Sequence, residues 1–154
     1  MRWDEVVAEE PELAASARTE LERRGLLLVG TLTADGSPRI SATEPYFLGR
    51  DLWLGMMWRS RKAVDLLRDP RLVLHSPICT NTGDETEAIV RGRAVVIADE
   101  PTVEWYRAAT EGMWKGRFHL FRVDVESVAI VRYARGEQYV NVWPAGKEFR
   151  RPYG

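Results

Sequence analysis

One cysteine and two histidines in 154 residues remove several chemistries before any motif is considered. Cys79 alone cannot form an intrachain disulfide, which fits a reducing, cytoplasmic setting. No positioned base can be named for it within Ser76-Pro77-Ile78-Cys79-Thr80, so the thiol reads as buried or inert. His75 and His119 lie far apart and neither belongs to a ligand-spaced cluster, so no metal site is expected. No apolar run approaches the roughly 18 residues that cross a bilayer, and the acidic start Met1-Arg2-Trp3-Asp4-Glu5 is unlike a targeting signal. An excess of charge is missing too: 22 basic against 23 acidic residues leave a formal net charge of -1. No broad field therefore draws the chain to nucleic acid or to acidic membranes. Neither G-x-G-x-x-G, G-x-x-x-x-G-K-[ST] nor G-x-S-x-G occurs, which removes the commonest nucleotide and hydrolase signatures.

What is present is the composition of an ordinary globule, 45% hydrophobic and 29% charged, in a length that suits one domain with its own core. That domain would span 1–154, with a helical segment at 1–25 and a polar, basic tail at 144–154. Pro11, the helically spaced Leu13, Ala14, Ala17 and Leu21, and the stop at Gly25 predict a helix over 11–24. Leu26–Thr33 and Pro38–Phe47 flank Ala34-Asp35-Gly36-Ser37 as a hairpin. Strands are predicted at 52–58, 72–79, 86–98, 118–135 and 137–143. Gly92 within the third of these marks a bend or the close approach of another backbone. A helix from Asp99 and Pro101 to Thr110 turns Val103 and Tyr106 inward. Six to seven antiparallel strands with about three short helices make a mainly β (α+β) chain. Closing the sheet into a barrel would remove its exposed edges.

One stretch is electrostatically backward. After the strand at 52–58, Ser60 stands where an N-cap belongs, and Ala63, Val64, Leu66 and Leu67 form the apolar side of a helix ended by Asp69-Pro70. Arg61 and Lys62 then occupy its first turn, where the dipole is already positive and each cation costs about 0.3–1 kcal/mol. An anion in front of that turn would use the free N–H groups, the dipole and both side chains; two solvated surface charges are the alternative. On the strand before, Arg39, Ser41 and Thr43 share one face. That row can line a polar ligand or simply be the wet face of a sheet. Trp53, Trp58 and Trp143 offer apolar platforms, or core packing.

Gly36-Ser37-Pro38-Arg39-Ile40, then Ser60-Arg61-Lys62-Ala63, then Asp69-Pro70-Arg71-Leu72 resemble the FMN-binding split barrel of the pyridoxamine 5'-phosphate oxidase-like superfamily, over most of 26–143. The resemblance implies an antiparallel split β-barrel and a homodimer with the cofactor site at the subunit interface. It also implies roles residue by residue. Arg61 and Lys62 would hold the cofactor phosphate, supported by Ser60, and Arg39 would reach it. Ser41 and Thr43 would pass beside the ring, which Gly55, Met56 and Met57 would face. Glu87 would approach the phosphate or ribityl chain of the neighbouring site, and Trp58 or Trp143 would cover the ring. Two departures stand out: no R-x-H follows Trp143, and Glu44 replaces a substrate-facing lysine, where a carboxylate would repel a phosphorylated substrate. Vitamin B6 oxidation is therefore not expected. The signatures are closer to the flavin/deazaflavin oxidoreductase branch, which implies FMN, or alternatively the deazaflavin coenzyme F420, and hydride transfer to or from a small molecule. A non-catalytic flavin- or haem-binding protein of the same fold is the other reading.

Overall fold

The computed structural model describes residues 1–144 and 149–152. Its elements run α1 (Trp3–Glu9), α2 (Pro11–Glu22), β1 (Leu27–Leu32), β2 (Pro38–Thr43), β3 (Tyr46–Leu48), β4 (Asp51–Met57), α3 (Arg61–Arg68), β5 (Arg71–His75), β6 (Thr86–Ile97), α4 (Glu100–Ala109), β7 (Phe118–Ala134), β8 (Glu137–Trp143) and β9 (Phe149–Pro152). All nine strands join one antiparallel sheet in the order β2-β1-β5-β6-β7-β4-β3, with β8 on β7 and β9 on β8. The 17-residue β7 is the spine. Phe118 to Arg122 pairs with β4 and Val128 to Ala134 with β8, while β6 runs along the other edge. The path ends at β2 and β3 rather than returning on itself, so this is an α+β split barrel, open along that gap.

The count exceeds the six or seven strands and three helices read from sequence. Proline has no N–H to give a ladder, and Pro45 falls in the break that divides the expected 38–47 strand into β2 and β3. α1 is the fourth helix, and β9 arises from the tail. β5 stops at His75 rather than at residue 79, so Cys79 is an exposed free thiol in the following loop, not a buried one.

Strand alternation places Leu27, Val29, Leu52, Leu54, Met56, Leu72, Leu74, Val90, Phe121, Val123 and Val125 in one core. α2 lays Leu13, Ala14, Ala17 and Leu21 onto it, with Gly25 at φ 69 closing the helix as expected. A second cluster lies under α4, on the other face of β4: Trp53, Tyr106 and Leu120, flanked by Tyr46, Val103, Trp114 and Phe118. Asp99 caps α4 by accepting from the Thr102 N–H at 3.0 Å. No helix among the described residues is long and apolar enough to cross a membrane.

α3 departs from its sequence pattern. Its inward residues are Ala63, Asp65 and Leu66, while Val64 and Leu67 are 45% and 46% exposed. A buried aspartate takes a place that the periodicity assigns to an apolar side chain, because β1 and β2 supply it with partners.

Candidate functional site

Those partners organise the site. Thr31 Oγ1 and Arg39 Nε both donate to Asp65 Oδ2, at 2.9 and 2.6 Å, and the Arg68 guanidinium stands 3.5 Å from Oδ1. Thr31 and Arg39 face each other across β1 and β2, so one carboxylate pins α3 to both strands. Burial by itself would raise the Asp65 carboxyl. The hydrogen bonds from Arg39 and Thr31, with the charges of Arg39 and Arg68, outweigh it and hold the carboxyl below its ordinary range. A depressed carboxyl stabilises the fold fully above the unfolded pKa, and that contribution is lost as pH falls through the folded one. Asp65→Asn should therefore be less stable at neutral pH and show a shallower acid limb in urea unfolding. Parallel limbs for variant and parent would refute this role for Asp65.

With Arg39 held in place, the β1–β2 turn and the start of α3 enclose an open cleft of about 660 Å³. Arg39, Arg59, Arg61 and Arg68 face Asp35 and Asp65 across it, a net charge of +2. Asp65 is already engaged, and Asp35 is turned to Thr33 and the Ser37 N–H. Among the described residues neither Arg59 nor Arg61 has an ion-pair partner. Arg59 adopts φ 57, a conformation that costs a non-glycine residue and is retained where surroundings enforce it; here it turns β4 into α3.

Ser60 occupies the N-cap, but its side chain makes no capping bond, and its buried Oγ has no partner. The first N–H groups of α3 lie in its shadow. Lys62 points away from the cleft and donates from Nζ to the Ala42 carbonyl; burial lowers its pKa, with Glu44 partly offsetting this. Thr43 is buried with Oγ1 unpartnered, and Ser41 lies beside it on the same face, half-buried. Trp58, 39% exposed, is sandwiched between the Arg117 guanidinium at 3.8 Å and the His119 ring at 4.3 Å. Met57, at the end of β4, is 69% exposed.

The structure thus gathers Arg39, Ser41, Thr43, Met57, Trp58, Ser60, Arg61 and Lys62 around the β2 edge and the β4–α3 turn. Four other expected site residues lie elsewhere. Met56 is a core side chain at 1% exposure, because alternation turns it inward with Leu52 and Leu54. Trp143 is 4% exposed and donates from Nε1 to Glu9 at 2.8 Å, so its indole is spent in its own core and has no free face to cover a ring. Glu87 alternates with the inward Ala88 and stands 3.4 Å from His75 Nε2, away from the cleft. Gly55 carries the indole of Trp114. Arg59, Asp65 and Arg68 are site residues that the sequence pattern does not single out. The one sequence signal for Arg59 is its place beside Ser60-Arg61-Lys62.

The residues present fit a phosphate-bearing cofactor: three arginines converge on a helix start, two of them unpaired, beside an orphaned hydroxyl and an aromatic shelf. The family described as pyridoxamine 5'-phosphate oxidase matches residues 13–132, and the chain belongs to that family. No curated protein matches it. Among solved structures it is similar to a haem-binding protein from Mycobacterium smegmatis, at 18% identity and a TM-score of 0.64 over 91% of this chain and 57% of that one. The chain therefore spans little more than half the length of that protein. It is also similar to HutZ, the haem storage protein of Vibrio cholerae, at 17% identity and a TM-score of 0.57 over 82% and 92% of the two chains. A NimC/NimA family protein from Clostridium acetobutylicum gives 13% and 0.61 over 83% and 90%. At such identities these structures bear on the fold alone.

Proposed function

We propose that the chain binds FMN, or in its place the deazaflavin coenzyme F420, and acts as an oxidoreductase transferring hydride to or from a small molecule. The observation that carries this reading is the pair of unpaired arginines, Arg59 and Arg61, held with Arg39 in front of the α3 N-terminus. A phosphate there would take charge-assisted hydrogen bonds from the guanidinium groups and the free N–H groups together. Ser60 Oγ would add a donor. Met57 and Trp58 would give the ring an apolar shelf, with Arg117 and His119 fixing the indole. The cofactor supplies the hydride chemistry; the protein need only bind it, orient it and keep water out.

The working unit in this reading is a homodimer that completes the site at its interface. Ile40 is 73% exposed on the outer face of β2 and Leu28 is 38% exposed on β1 beside it, an apolar strip that supports the pairing. A second reading, a non-catalytic flavin or haem binder, is favoured by the haem-related neighbours. Titrating the purified chain with FMN, F420 and haemin, followed by absorption, separates the ligands. An added flavin should bind tightly and then be reduced and reoxidised by a partner substrate. A chain that takes up haemin but neither flavin would overturn the flavin reading. A bound flavin that no reductant or acceptor turns over would overturn the enzymatic one.

A further inference from the structure

Trp114 occupies an unusual place. Its indole lies against the backbone of Gly55, where a Cβ would come within 2.5 Å of the ring, and it stacks on Phe118 with ring centres 5.3 Å apart. Only a glycine lets a ring sit so low on β4. The seat is walled by aromatic side chains: Phe118 beside the indole, and Tyr106 beneath, itself edge-on to Tyr46 at 5.6 Å.

Polar atoms converge on the seat without being satisfied. Tyr106 is fully buried, and neither its hydroxyl nor Trp114 Nε1 has a hydrogen-bond partner among the described residues. Burial drives the Tyr106 phenol up, the Tyr46 hydroxyl and Glu44 add to this, and Trp114 and the Gly55 backbone moderate it. These groups therefore share one small volume. Two buried donors with no acceptor make an unfavourable resting arrangement, and an oxygen atom supplied from outside would relieve it.

The loop carrying Trp114 has the build of a movable cover. Glu111, Gly112 and Gly116 all have positive φ, at 53, 70 and 69, so the chain reverses sharply on both sides of the indole. One clamp holds it down. Arg107 donates to the carbonyls of Trp114 and Gly116 and lays its guanidinium 5.1 Å above the Phe118 ring.

We propose that residues 111–117 form a lid, that Trp114 is a placeholder on Gly55, and that the seat it vacates takes a planar ring bearing an oxygen acceptor for the Tyr106 hydroxyl. Gly55 and Met57 share a face of β4, so the seat adjoins the shelf described above. The inference goes beyond the flavin reading and does not depend on it: the test uses the full chain without cofactor.

The probes are coumarin, a flat bicycle with a carbonyl oxygen, and indole, the excised ring, which has no such oxygen. Trp114→Ala should bind coumarin about tenfold more tightly than the parent chain, because the placeholder is gone. Adding Tyr106→Phe, which removes one oxygen atom, should return about fivefold or more of that gain for coumarin and under about twofold for indole. Arg107→Ala, which frees the lid and leaves the indole in place, should also tighten coumarin binding, by about threefold. It serves as the second arm should Trp114→Ala fail to fold, as judged by circular dichroism. Coumarin affinity unchanged in whichever variant folds overturns the lid. An equal effect of Tyr106→Phe on both probes overturns the acceptor assignment.

Discussion

Replacing Arg61 and Lys62 together by alanine is expected to weaken FMN binding by about a hundredfold or more, since each charge-assisted contact is worth roughly 1.5–3 kcal/mol. The fold should survive. Arg61 is exposed and has no ion-pair partner among the described residues, and Lys62 contributes one hydrogen bond to the Ala42 carbonyl. The two positions act differently. Arg61 lines the cleft directly, whereas Lys62 reaches back to β2 and steadies the edge that carries Ser41 and Thr43. Arg61→Ala alone should therefore carry most of the loss, and that loss should shrink as salt is raised, because an exposed cation and a phosphate are screened within about 10 Å at moderate ionic strength. Titration calorimetry with FMN, repeated with F420, is the measurement. Equal affinity for parent and double variant would remove the phosphate from the α3 N-terminus.

The placing of a cation pair at a helix start was readable in the sequence because the conflict is local: Ser60, Arg61 and Lys62 need only the helix that follows them. The same holds for the Gly25 stop, the Asp99 cap and the turn at Ala34 to Ser37. Asp65 was not readable, since a helical pattern assigns a lone carboxylate to the solvent side and only the approach of Thr31 and Arg39 from another hairpin reverses that. Val64 and Leu67 were misplaced for the same reason. Met56 and Trp143 show a different limit. An apolar side chain suits a core and a cofactor shelf equally well, and which one it serves depends on strand register, set here by the pairing of β4 with β7 and of β7 with β8. Trp114 is further out of reach: its contact with Gly55 joins residues far apart in the chain and requires the whole of α4 to be in place. The family resemblance supplied the split of the barrel, because a strand count alone favours closure.

Gly92→Ala is expected to have the largest effect on stability of any single methyl added to the chain. At Gly92 the ladder between β6 and β7 slips: Arg91 faces Ser127 but Gly92 faces Val125, leaving Glu126 as an extra residue on β7. The bulge bends β7 near the point where its pairing passes from β4 to β8. A Cβ on Gly92 would stand 2.2 Å from the Asp124 carbonyl oxygen and 3.1 Å from its carbon. Both are backbone atoms of the longest strand, so no rotamer change relieves the clash. The bulge would have to shift, at a cost of about 3 kcal/mol or more, which lowers Tm by about 6 °C or more for a chain of this size. Gly30 and Gly136 calibrate the expectation. At Gly30 a Cβ meets only the tip of Val73, 2.6 Å away, and that methyl can turn aside. At Gly136 it meets nothing, but φ is 75, so the penalty is the conformational one of about 1–2 kcal/mol. The expected order of thermal stability is parent, then Gly136→Ala and Gly30→Ala, then Gly92→Ala well below both. If Gly92→Ala melts with the other two, the close approach of β6 to Asp124 is not what requires glycine there, and the bend in β7 must arise from the extra residue alone.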